Sequence, residues 1–101
     1  MTLPRLDEFN TSLVELSQFA RALSHPARIA ILQLLGTRGE LPAMEIVAEL
    51  PLSQPACSRH LKELVLVGLL SSRNERNKVY YHLESKSLDS FCQRMAKSLH
   101  S

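Results

Sequence analysis

The chain lacks most of the features that announce chemistry. It has two cysteines, Cys57 and Cys92, far apart in sequence and in no metal-ligand pair, which fits a reducing compartment. No apolar run approaches the length of a membrane span, so no membrane partner is expected. The N-terminus carries Arg5, Asp7 and Glu8 without the apolar core of a secretory signal. A cytoplasmic protein is the expectation. There is no glycine-rich phosphate loop and no nucleophile-base-orienter set, so neither an enzyme nor a cofactor is expected. Histidines 25, 60, 82 and 100 show no ligand spacing. The net charge of +2 is too small to identify a partner by itself.

What remains is a chain of 101 residues, 45% of them hydrophobic, which is enough for one folded domain over residues 1–101 and not for two. A domain this small buries a modest share of its surface, and association of two copies would add to it. The charge is unevenly spread. Residues 53–82 hold Arg59, Lys62, Arg73, Arg76 and Lys78 against Glu63 and Glu75, while the remainder is slightly acidic. Such asymmetry favours a polyanion as partner.

The most informative stretch runs from Ser53 to Leu64. Ser53 is a good helix N-cap and Pro55 suits the first turn. Cys57, Leu61, Leu64 and Gly68 recur at helical spacing and define a face to be buried. The opposite face presents Pro55, Ala56, Arg59, Lys62 and Glu63, with Gln54 and Ser58 at its edges. An amide, a hydroxyl and a guanidinium on the first turns of a helix can hydrogen-bond base edges and phosphates.

The flanking segments supply a context. Residues 7–23 read as a first helix, with a stripe of Leu6, Phe9, Leu13, Leu16, Ala20 and Leu23. Val14 and Phe19 lie off the stripe and point to a second contact, such as another subunit. Residues 26–36 read as a second helix, opened by Pro26 and closed by Gly36, apolar nearly all round and therefore central. A third helix runs from about Pro42 to Leu50 and is stopped by Pro51. Two short helices in close succession, the second strongly capped, describe a helix-turn-helix. After Gly68 the period changes. Leu69 to Arg73 and Lys78 to Glu84 read as strands around a polar tip, Asn74-Glu75-Arg76-Asn77. With no glycine in that turn, an asparagine is expected at any positive-φ position. Residues 86–99 form a last helix striped by Leu88, Phe91, Cys92, Met95 and Leu99. The fold class is mainly α with a small β-hairpin, in the order α-α-α-α-β-β-α, a winged helix-turn-helix.

Two segments carry a resemblance. Ser24-His25-Pro26-Ala27-Arg28-Ile29-Ala30-Ile31-Leu32, followed by Leu52-Ser53-Gln54-Pro55-Ala56-Cys57-Ser58-Arg59-His60-Leu61, resembles the ArsR/SmtB family of bacterial transcriptional repressors. Lys78-Val79-Tyr80-Tyr81-His82-Leu83 looks like that family's wing. The resemblance implies a homodimer built on the first and last helices, a pseudo-palindromic operator in double-stranded DNA, and repression relieved by a signal, often a metal ion. The sequence departs from the metal-sensing pattern. Where the arsenic and cadmium type carries Glu-Leu-Cys-Val-Cys-Asp-Leu, this chain has Glu40-Leu41-Pro42-Ala43-Met44-Glu45-Ile46, without either thiolate. Asp89 is followed by Ser90-Phe91, so the Asp-x-His of the zinc type is also missing. No metal site is expected, and the inducer is unknown.

The candidate DNA-contacting residues on the recognition helix are Ser53, Gln54, Pro55, Ser58, Arg59 and Lys62. Those on the wing are Arg73, Arg76, Asn77 and Lys78. The candidate dimer interface combines Phe9, Leu13 and Leu16 of the first helix with Leu88, Phe91, Cys92, Met95 and Leu99 of the last. His60 reads as structural. Two other functions fit the same residues: a winged-helix module that binds another protein, and a redox-responsive regulator using Cys57 and Cys92.

Overall fold

The computed structural model of the protein describes residues 8–100. Five helices and a small antiparallel sheet follow one another as α1 (Thr11–Ala22), α2 (Pro26–Arg38), β1 (Leu41–Pro42), α3 (Ala43–Glu49), α4 (Gln54–Leu66), β2 (Leu70–Glu75), β3 (Lys78–Leu83) and α5 (Ser85–His100). The core lies where α2, α3 and α4 meet the root of the hairpin. Ile31, Leu35, Ile46, Leu61, Leu64, Leu69 and Leu70 are its fully buried aliphatic side chains, with Cys57 among them as a small hydrophobe.

Helix ends follow local chemistry. Asn10 caps α1, its side-chain oxygen accepting from the Ser12 N–H at 2.7 Å. His25 caps α2 through Nδ1, which accepts from the Ala27 N–H at 3.0 Å, and Pro26 fills the first turn. The second helix passes through Gly36 and ends at Gly39, which takes φ +80° and donates its N–H to the Leu35 carbonyl. The helix therefore runs two residues past its expected end at Gly36, with Thr37 and Arg38 in the last turn. α4 closes in a Schellman motif. Gly68 adopts φ +82°, its N–H reaches the Val65 carbonyl, and the Leu69 N–H reaches the Leu64 carbonyl. Gly68 is thus an exposed terminator and not part of the buried face.

Five other expectations are corrected. The first helix starts at Thr11, and Leu6 and Asp7 lie outside the described residues. Its buried face is Leu16 and Ala22, with Ala20 exposed. Phe19 stacks on Phe91 of α5 with centroids 5.0 Å apart, so its partner lies within the same chain. α2 is not covered all round, since Ile29 remains 39% exposed. Finally, Leu41–Pro42 form a strand rather than the start of α3. They pair antiparallel with Tyr81 and Tyr80, giving a three-stranded sheet in the order β1-β3-β2. The short edge strand carries a proline, whose missing N–H is tolerated at an edge.

The hairpin is tighter than expected. Glu75 pairs with Lys78, leaving only Arg76 and Asn77 in the turn. Both take positive φ, 48° and 69°. That is the handedness a two-residue hairpin turn needs to match strand twist. Asparagine accepts this conformation readily, whereas arginine does so at a cost in strain.

Candidate nucleic-acid interface

The recognition helix is set by its cap. The Ser53 hydroxyl accepts from the Ala56 N–H at 3.3 Å, and Pro55 occupies the first turn. With Cys57, Leu61 and Leu64 turned into the core, the helix must present Gln54, Pro55, Ser58, Arg59 and Lys62 outward, and all five are exposed. Among the described residues, none of the polar side chains of Gln54, Ser58, Arg59 and Lys62 is engaged in a hydrogen bond or ion pair. The same holds for Arg76, Asn77 and Lys78 at the exposed hairpin tip.

Arg73 is different. Its Nε and Nη2 donate to the two carboxylate oxygens of Glu40 at 2.9 and 2.6 Å, and Nη1 donates to Glu75 at 2.7 Å. The guanidinium also lies over the Tyr80 ring, 4.7 Å from its centroid. The hydrogen bonds from Arg73 hold the Glu40 carboxyl below the usual carboxylate range. This cation is spent on bracing the hairpin against the segment before β1. The brace continues along the same face of β2 and β3, where Ser71 pairs with His82. His82 Nε2 lies 2.8 Å from Glu84, whose carboxylate also accepts from the Ser71 hydroxyl. No sequence pattern singles out the pairing of Arg73 with Glu40, because a partner 33 residues away leaves no periodic trace.

His60 is half-buried and bound. Its Nδ1 accepts from Arg28 Nε at 3.0 Å, in keeping with a structural role. Cys57 is fully covered, and burial pushes its thiol up, the reverse of what a reactive thiolate needs. Cys92 is exposed, and it shares no disulfide with Cys57. Pro42 and Met44 line a shallow groove of about 290 Å³ beside Asn77 and Lys78, with Met44 largely exposed. No group of three His, Cys, Asp or Glu side chains placed to hold a metal occurs among the described residues. Nor is any helix among them long and apolar enough to cross a membrane.

The candidate dimer residues divide into two sets. Leu16 and Phe91 are already buried within one chain, where α1 and α5 are also tied by Arg94 donating to Glu15 at 2.9 Å and to Ser12 at 3.1 Å. Leu88 packs half-buried against the core, and Met95 is half-buried on α5. Phe9, Leu13 and Leu99 are 49%, 48% and 76% exposed. Phe9 and Leu13, with Val14 and Ser17, line an apolar groove of about 200 Å³.

A helix-turn-helix domain family model matches residues 23–73, the span from the end of α1 into the hairpin. The chain is 39% identical over 84 residues to the arsenical resistance operon repressor of Staphylococcus xylosus, covering 83% of this chain and 80% of that protein. The chain belongs to the ArsR family. As an ArsR-family fold it superposes on an ArsR-like transcriptional regulator from Rhodococcus sp. RHA1 with a TM-score of 0.78 at 27% identity, over 87% of this chain and 82% of that one. HlyU from Vibrio cholerae matches with a TM-score of 0.72 at 27% identity, over 92% and 100%.

Proposed function

We propose that this protein is a sequence-specific DNA-binding repressor that acts as a homodimer on a pseudo-palindromic operator. The observation that carries the reading is the unpartnered set Gln54, Ser58, Arg59 and Lys62 on the exposed face of a well-capped helix, beside a hairpin tip bearing Arg76 and Lys78. Names of relatives point the same way, since the Staphylococcus proteins are called operon repressors. Gln54 suits adenine and Arg59 guanine in a major groove. Arg76 and Lys78 suit phosphate or the minor groove, while Arg73 holds the wing in place. A second copy would cover the groove of Phe9 and Leu13 together with Leu99, setting two recognition helices one helical turn of DNA apart.

Arg59→Ala and Arg76→Ala, measured on operator and scrambled duplexes across a salt series, test this division of labour. Arg59→Ala should cost about 1–3 kcal/mol of discrimination between the duplexes. Arg76→Ala should weaken both equally and lower the salt slope by about one for each phosphate left without its cation. Equal loss on both duplexes for Arg59→Ala would remove that residue from base reading. An unchanged salt slope for Arg76→Ala would leave the hairpin outside the footprint and favour a protein-binding role for it.

The signal is proposed to be something other than arsenite, cadmium or zinc. Pro42 and Met44 stand where the metal-sensing pattern has thiolates, and neither is an anionic ligand. Titrating each metal into the protein–DNA complex should leave it intact. Release at one metal per site would defeat this reading.

A further inference from the structure

Arg28 occupies the junction of three helices. Its Nη1 donates to the Arg21 and Ala22 carbonyls at the end of α1, both at 3.4 Å, while its Nε donates to His60 Nδ1 in α4 at 3.0 Å. One guanidinium thus caps the dimer-side helix α1 and grips the recognition helix α4. The His60 ring also rests on His25, with centroids 4.5 Å apart, and His25 in turn caps α2. Both imidazoles use Nδ1 as an acceptor, so both carry their single proton on Nε2. A protonated imidazole has no acceptor on either nitrogen, and no ring flip restores one.

We propose that Arg28, His60 and His25 form a proton-sensitive joint that sets the recognition helix, so that acid weakens operator binding. This rests on the DNA-reading role of α4 given above. The surroundings all act in one direction. His60 meets His25 and Arg28 from α2 and Arg59 from its own helix, and α1 presents the Arg21 and Ala22 carbonyls to Arg28. Glu63, the one acidic side chain in α4, lines a cleft with Gln18, Arg21 and Ala22 and is not among the charges that act on His60. Protonating His60 therefore sets a cation against cations and turns an accepted hydrogen bond into two opposed donors. Burial, then His25, Arg28 and Arg59, hold the His60 imidazole below the ordinary histidine value. The neutral form is the folded one, so this contribution is complete above the ordinary histidine value. It is lost as pH falls from there through the lowered one.

The direction distinguishes the joint from general electrostatics, because added positive charge ordinarily strengthens binding to DNA. Operator affinity is measured at constant ionic strength from about pH 7.5 to about pH 5. Wild type should lose about tenfold or more, with a limiting slope of up to about two protons per dimer for the His60 pair. His60→Asn keeps an acceptor near the Nδ1 position and does not titrate. It should bind like wild type at neutral pH and lose much less in acid. The double variant H25N/H60N should lose no more than His60→Asn does, since an asparagine in the first of these positions remains a good cap for α2. A flat or rising wild-type profile, or variants that fall in parallel with wild type, overturns the joint. An independent arm needs no DNA. As the His60 ring titrates in the free protein, NMR amide shifts of residues 54–59 should move with the same midpoint, and stationary amides overturn it as well. Absence of operator binding at neutral pH would instead defeat the DNA-binding reading, leaving the joint to the NMR result.

Discussion

Replacing Leu13 by glutamate should give a folded monomer that has lost its operator. Leu13 is about half exposed on α1, beside the exposed Phe9 and the rim of a small apolar groove. A carboxylate there remains hydrated in a single chain, so thermal stability of the monomer should change little. Inside a subunit interface the same charge would be stripped of water without a partner. Binding of one half-site would survive, but the gain from linking two would not. That gain is typically about 100- to 10,000-fold. Sedimentation velocity together with operator titration checks both halves. A dimer that still holds its operator would move the interface elsewhere, towards α5 alone.

The largest effect on folding is expected at Leu64. Its side chain is fully buried where α4 meets Ile31, Ile46, Leu61, Leu69 and Leu70. Truncation removes apolar burial and leaves a cavity that close-packed neighbours fill only in part. Leu64→Ala should cost about 2–5 kcal/mol. That is a large part of the roughly 5–15 kcal/mol that holds a domain together. Leu66→Ala is the matched control, since Leu66 is 68% exposed two residues further along the same helix. It should stay within about 0.5 kcal/mol of wild type. Urea midpoints for the two variants make the comparison. Similar losses would mean that the exposed face of α4 is covered in solution.

Much of this architecture is legible in the sequence, for identifiable reasons. Ser53, Pro55, Cys57, Leu61 and Leu64 encode the start and the buried face of α4 locally, within four turns of helix. The side chains opposite are exposed by geometry, so the candidate interface follows from the same pattern. The failures lie where the deciding contact is distant or where two residues compete. Gly36 and Gly39 could both end α2, and only the backbone shows that Gly39 takes the left-handed conformation. Leu41–Pro42 is too short to display alternation, and it is a strand only because Tyr80 and Tyr81 arrive from beyond α4. Arg73 reads as a free cation until Glu40 is placed beside it. Leu16 and Phe91 pack within one chain, and periodicity reports that a face is buried and not which chain buries it.

The burial of Cys57 makes the protein its own clock. A thiol reagent should reach Cys92 before Cys57, because Cys92 is exposed in the single chain. Cys57 has to wait for α4 to lift from the core. Its labelling rate at fixed reagent therefore measures how often the recognition helix detaches. When reclosing is faster than labelling, that rate yields the free energy of opening rather than its speed. Operator DNA bound to α4 should slow the Cys57 reaction while leaving Cys92 untouched. The same two atoms would then report whether the helix is held by its own domain alone or by the duplex as well.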